Sequence, residues 1–302
     1  MSTEPVVAAV DGSDDSLRAL DWALDAARRR GAPLRVVHVR QYAPWGQPDV
    51  LVAGPLDQGD DPVIGEARTY LDSRDREGTA VEYTALDGLP GALLPELGDA
   101  AQLLVLGSRG RGGFASLLLG SNGLAAAREA ACPVVVVPPP GREVHGEAAP
   151  ADPGPRVVAG LHVDHPDDAA LSFAFAEAAR RGARVQAVAA YPPPDQPWVA
   201  PAELPPPVID EKEVEAEVRT LAEGFLAPHR ARYPEVAADA YVVPGDAAGH
   251  LVAASRDAEL VVVGRHRRRL LAPARMMGSV TQAVLLHAAA PVAVVPPTPT
   301  ET

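Results

Sequence analysis

The chain of 302 residues is 47% hydrophobic and 22% charged, with a formal net charge of -13. Its length points to two domains, and its charge argues against nucleic-acid or anionic-membrane partners, which are bound chiefly by neutralising negative charge. No apolar run approaches the ~18–20 residues that a membrane helix needs, and a single cysteine, Cys132, excludes an internal disulfide and a cysteine-based zinc cage. The opening residues MSTEPVVAAVDGS lack the basic start and long apolar core of a secretory signal, so a cytoplasmic location is expected. Cys132, between Ala131 and Pro133, reads as a small buried apolar residue.

Val6 to Val10 is a short apolar strand, and the run from Asp11 to Ser16 is a turn and N-cap cluster that predicts a helix start. Leu17, Leu20, Leu24 and Ala27 recur at helical spacing, and Gly31 supplies the stop after three arginines. Leu34 to Val39 is the next strand. A Pro- and Gly-rich stretch from Gln41 to Pro62, containing Trp45, reads as a long, lid-like loop. Val63 to Glu77 reads as a helix, Ala80 to Leu86 as a strand, and the turn at Asp87 to Gly91 leads into a short helix through Leu97. From Leu103 onward come an apolar strand, a glycine-rich loop, a helix opened by Gly120 and Ser121, and a last strand through Val137. Alternating strands and helices predict a parallel sheet with helices on both faces and a ligand at the carboxyl ends of its strands.

Residues 139–155 have no apolar periodicity and read as a linker. The pattern then restarts in register: Leu171 matches Leu20, Phe173 matches Trp22, Phe175 matches Leu24, and Arg180-Arg181-Gly182 matches Arg29-Arg30-Gly31. A second Pro-rich loop, Tyr191 to Pro207, precedes a helix with an apolar stripe of Val214, Val218, Leu221 and Phe225. Two copies of one unit are therefore expected, at 1–138 and 156–297, followed by a short tail at 298–302.

Gly107, Gly110 and Gly120 form the pattern G-x2-G-x9-G, followed by Ser121 and Asn122. Glycines at strand ends let backbone N–H groups face an anion at close range. The helix opening at Gly120-Ser121 would add unpaired N–H groups and its positive dipole end, worth ~0.3–1 kcal/mol per exposed charge. From Leu103 to Arg128 there is no acidic residue, while Arg109, Arg111 and Arg128 make the stretch a positive island. Phosphate binding by Gly107, Ser108, Arg109, Gly110, Gly120, Ser121 and Asn122 is the expectation, with the arginines lending field or direct contact. No G-x4-G-K-[ST] occurs, which excludes the P-loop. A G-x-G-x-x-A match at Gly110 follows the fourth strand instead of the first, and is set aside. From spacing alone, Asp11 serves equally as a turn residue, a helix cap or a ligand contact.

The first strand ending in Asp11-Gly12-Ser13, the glycine loop, and the close of the unit at Cys132-Pro133-Val134 together resemble a universal stress protein domain of the ATP-binding subgroup. Nearly the whole chain resembles a tandem of two. That resemblance implies two open parallel five-stranded α/β sheets of order 3-2-1-4-5 that pack on each other, with the last-strand pairing of the family expected between the two halves and a homodimer left open. It implies ATP, with Mg2+, as ligand: Asp11 near ribose and adenine, the backbone about Val39 on adenine, the glycines and Ser121 on the phosphates, and Asp11 or Ser121 toward the metal. The role it implies is that of a stress-response regulator, with no catalytic residue and at most slow hydrolysis of ATP.

Two alternatives stay open. Gly12, Asp15 and Ser16 faintly echo the S-G-G-x-D-S loop of enzymes that cleave ATP between its α and β phosphates, although Ser13 replaces the second glycine. A scaffold using nucleotide only for stability is the other. The second copy departs from the pattern. His162 stands in place of Asp11, the loop after Gly264 lacks the second glycine and is rich in arginine, and only Gly278 and Ser279 survive as an anion-binding helix start. Gly264, Gly278 and Ser279 are thus an altered second candidate site.

Overall fold

The computed structural model describes residues 4–41, 61–76, 78–110, 119–146, 153–192, 210–265 and 277–298. Both Pro-rich loops lie mainly outside these residues, as do Arg111 and the arginines at 267–269 and 275. The first half runs β1 (Val6–Ala9), α1 (Asp14–Arg30), β2 (Leu34–Arg40), α2 (Pro62–Asp72), β3 (Val81–Asp87), α3 (Pro90–Glu96), β4 (Leu103–Gly107), α4 (Ser121–Glu129) and β5 (Val134–Val137). The second runs β6 (Arg156–Gly160), α5 (Asp168–Arg181), β7 (Arg184–Tyr191), α6 (Glu211–Arg232), β8 (Ala238–Pro244), α7 (Ala247–Ala254), β9 (Leu260–Gly264), α8 (Ser279–His287) and β10 (Val292–Val295).

Local chemistry sets these boundaries. The Ser13 side chain accepts from the Ser16 amide to cap α1, Asp14 and Asp15 lie at its positive end, and Gly31 ends it at φ 60. Asp167 and Gly182 do the same for α5, again with a left-handed φ of 60. The central strands are buried on both faces, as their uninterrupted Val, Leu and Ala runs require. In α6 the predicted stripe rotates: Leu221 is exposed, and Val218, Ala222 and Leu226 carry the buried face.

Each half has the order 3-2-1-4-5, and the two halves join into one ten-stranded sheet, β3-β2-β1-β4-β5-β10-β9-β6-β7-β8. Every neighbouring pair is parallel except β5 with β10, where Val134, Val135 and Val136 face Val294, Ala293 and Val292. Val135 and Ala293 hold the same position in their strands, so the junction has local two-fold character. It also occupies both last-strand edges, leaving β3 and β8 as the edges of the sheet. One core lies under α1, α2, α5 and α6, the other under α3, α4, α7 and α8, and both run through the junction.

The halves also meet through side chains that the repeat places reciprocally. The Arg30 guanidinium lies 5.7 Å from the Phe173 ring centre, and that of Arg181, its counterpart, lies 4.9 Å from the Trp22 ring. Glu177, 2% exposed, binds Arg30 at 2.8 Å, Arg180 at 3.0 Å and Arg181 at 3.3 Å. Burial pushes the Arg30 guanidinium below its ordinary pKa, and Glu177 pulls against that shift. On the opposite face Arg265 donates to the Ala130 carbonyl at 2.6 Å, and Arg142 donates to those of Leu286 and Ala288 at 2.9 and 3.0 Å.

Removing the shared anion takes the facing carboxylate from the buried Arg30, while Arg181 keeps Asp25 and Glu259 at 3.9 and 3.8 Å. Glu177→Gln should therefore lower the unfolding free energy by about 3–5 kcal/mol in chemical denaturation; a change within about 0.5 kcal/mol would show that Glu177 does not hold this junction.

Candidate functional site

An open cleft lies at the carboxyl ends of β1, β2 and β4 in the first half. Its walls divide by chemistry. Ala9, Val10, Val37, Val39, Pro90, Leu94 and Leu106 give apolar surface, while Asp11, Ser16, Ser108, Arg109, Asn122 and the glycines at 107, 110, 120 and 123 give polar groups and open backbone. Eight of the nine residues read from the sequence therefore line one space: Asp11, Val39, Gly107, Ser108, Arg109, Gly110, Gly120 and Asn122. Ser121 is the exposed first residue of α4 and is not part of the wall. Apart from Val39, the apolar contributors on β2, β4 and α3 carry no mark in the sequence, because only the assembled sheet brings them beside the loop. The rule that ligands sit at strand ends marks that neighbourhood but not its individual residues.

The glycines differ in what they do. A Cβ on Gly107 would stand 2.7 Å from the backbone carbon of Asp15 and 2.8 Å from its oxygen, so this glycine packs the end of β4 against the first turn of α1. A Cβ on Gly110 would meet Asp11 Oδ2 at 2.4 Å, whereas one on Gly120 would find nothing nearer than 3.9 Å among the described residues. Only the last has spare room on the cleft side. Gly12 lies at φ 75, a left-handed turn that lets Asp11 fold back: its Oδ1 accepts from the Ser13 amide at 3.1 Å and hydroxyl at 2.6 Å.

Gly120 caps α4 without any side-chain cap, leaving the first amides of the helix available to a ligand. The Gly120 amide itself donates to Ser108 O at 2.8 Å, and the Ser108 amide to Val137 O at 3.0 Å, which close the base of the loop. Loop residues 111–118 lie outside the described residues. Among those described, no group of three or more His, Cys, Asp or Glu side chains forms a metal cluster. Cys132 is buried, and that burial pushes its thiol up to about 12, consistent with a packing role.

The second half builds the corresponding place differently. Gly264 ends β9 and Gly278 caps α8, again with no side-chain cap, before Ser279. Thr281 Oγ1 ties the two segments by donating to Gly264 O at 3.0 Å. A Cβ on Gly264 would meet Asp167 Oδ2 at 2.2 Å, so a carboxylate borders the strand end. Arg265, in the place of Ser108, reaches across to Ala130 of the first half. His162 is exposed and stacks edge-on against His165, with ring centres 5.2 Å apart.

A duplicated, doubly wound sheet with a crevice at a topological switch point defines a tandem α/β protein with a ligand-type cleft. Residues 3–138 and 155–296 each match the Universal stress protein family. The universal stress protein Rv2005c of Mycobacterium tuberculosis (strain H37Rv) is 35% identical over 299 residues, covering 96% of both chains. The chain belongs to the universal stress protein family. Its fold is similar to that of a universal stress protein from Archaeoglobus fulgidus, with a TM-score of 0.61, 17% identity and coverage of 99% of this chain and 98% of that one. A structure from Pseudomonas aeruginosa UCBPP-PA14 is similar at a TM-score of 0.65 and 16% identity, over 98% and 94% of the two chains. No helix among the described residues is long and apolar enough to cross a membrane.

The tight approach to Asp15 adds a packing role at Gly107 to the one expected from its spacing. Gly107→Ala should cost about 1–3 kcal/mol of stability through overpacking against Asp15, visible as a lowered thermal midpoint; an unchanged midpoint would show that the approach of α1 to β4 does not require glycine there.

Proposed function

We propose that the chain binds ATP in the first-half cleft and serves as a nucleotide-dependent stress-response regulator, with one nucleotide per chain. The observation that carries this reading is the convergence on one cleft of apolar wall, open glycine backbone and an uncapped helix start. In this reading the apolar residues on β2, β4 and α3 accept the base, Asp11 lies on the ribose side, and Gly110, Gly120, Asn122 and Arg109 serve the phosphates. Ser121 contributes through its backbone at the helix start.

Asp11 is the one carboxylate among the described residues lining the cleft. That donor set fits Mg2+ held largely by phosphate oxygens, with Asp11 as the protein's contribution. The metal would neutralise phosphate charge.

Two features of the second half support a single site. The Asp167 carboxylate borders Gly264, and Arg265 is drawn toward Ala130. ATP cleavage is not part of the proposal. Ser16 Oγ donates to Ser13 O at 2.8 Å, and Asp15 is engaged by Ser108 and Arg109, so Asp15 and Ser16, two of the three residues of the enzyme-like echo, serve structure.

Gly120→Ala is the cleanest test, because the methyl fits the protein but takes space from a phosphate. Titration calorimetry should show ATP affinity reduced by at least about tenfold with an unchanged unfolding midpoint. Equal affinity for the variant and the parent, or no binding by the parent, would refute the site.

A further inference from the structure

Asp15 is 6% exposed, although its position in the first turn of α1 points a carboxylate away from solvent and toward the loop. It meets three successive residues there. Its backbone packs against Gly107, and its Oδ2 accepts from the Ser108 hydroxyl at 3.1 Å and from Arg109 Nε at 3.1 Å. Its other oxygen pairs with Arg18. A carboxylate this buried is retained only when it is paired and hydrogen-bonded. Here the partners are the first residues of the glycine loop, at a sequence separation of more than ninety residues.

We infer that Asp15 is a positioning residue for the phosphate end of the cleft: it fixes Ser108 and Arg109 to α1 and so sets where the loop leaves β4. Ser108 then holds the start of α4, since its carbonyl accepts from the Gly120 amide at 2.8 Å. One carboxylate thereby links the helix after β1, the glycine loop and the helix that follows it. Arg109 is held with its backbone beside Ser13, whose hydroxyl lies 3.4 Å from Arg109 O. Among the described residues the second half is built from different side chains here. Pro166 stands in register with Asp15, Arg265 stands in place of Ser108, and Arg265 turns to Ala130.

The inference rests on the nucleotide reading for its effect on affinity, and on geometry alone for the anchoring of the loop. Charge and position make opposite forecasts. As a bare anion near the phosphates, Asp15 would weaken ATP binding, and Asp15→Asn would tighten it. As a positioning residue, its loss loosens the loop and weakens binding.

The test compares the full-length parent with Asp15→Asn and with Ser108→Ala, which severs one arm and keeps the carboxylate. Calorimetry with ATP and with adenosine should show Asp15→Asn losing about tenfold for ATP, the weight of one charge-assisted hydrogen bond, with adenosine unchanged. Ser108→Ala should show a smaller loss of the same kind. In the protein without nucleotide, amide hydrogen exchange at 108–110 should rise in both variants while the strands stay protected. Unchanged or tighter ATP binding by Asp15→Asn, or an equal loss for adenosine, would overturn the positioning role, and so would unchanged exchange at 108–110. A parent that binds neither ligand would refute the nucleotide reading, while faster exchange in the variants would still support the anchor.

Discussion

Pairing of β1 beside β4, from Val6 against Leu103 to Ala8 against Val105, brings together two strands whose following helices leave toward opposite faces of the sheet. Between such helices no backbone crosses the strand ends, and the crevice is a consequence of topology. What makes this crevice usable is how closely α1 approaches β4. Only glycine at 107 permits the Asp15 backbone to come so near, and that contact brings a buried carboxylate within reach of the next two loop residues. Packing, loop geometry and the electrostatics of the cleft therefore share one origin.

Duplication uses the same physics twice to different ends. The junction is nearly symmetric: β5 against β10, Arg30 over Phe173 against Arg181 over Trp22, and an arginine from each side on the last carbonyls of α4 and α8. The two strand-end loops are not symmetric. Where the first half has Ser108 tied inward to Asp15, the second has Arg265 tied outward to its neighbour. The second loop's first side chain thus serves the junction, and the proposed nucleotide site belongs to the half in which Ser108 and Arg109 are tied to Asp15.

Much of this was legible in the sequence because backbone requirements leave local marks. Val and Leu runs gave the strands, Ser13 and Gly31 the ends of α1, and the in-register repeat gave the second half. Gly107, Gly110 and Gly120 stood out because glycine is costly without a reason. The three separate functions of those glycines were not legible, since each depends on an atom far away in sequence: the Asp15 backbone, the Asp11 carboxylate, or open space. Periodicity places Leu221 in the buried stripe of α6 because a helical period fixes a repeat but not its phase; the sheet selects Ala222 and Leu226 instead. Val37, Pro90 and Leu94 carry no signal beyond ordinary core residues, and they join the cleft only through strand order.

An unequal tandem is a claim about stoichiometry. Equilibrium dialysis of the intact chain against labelled ATP tests it most directly: one nucleotide bound per chain is the expected result, and two per chain, or none, would contradict it.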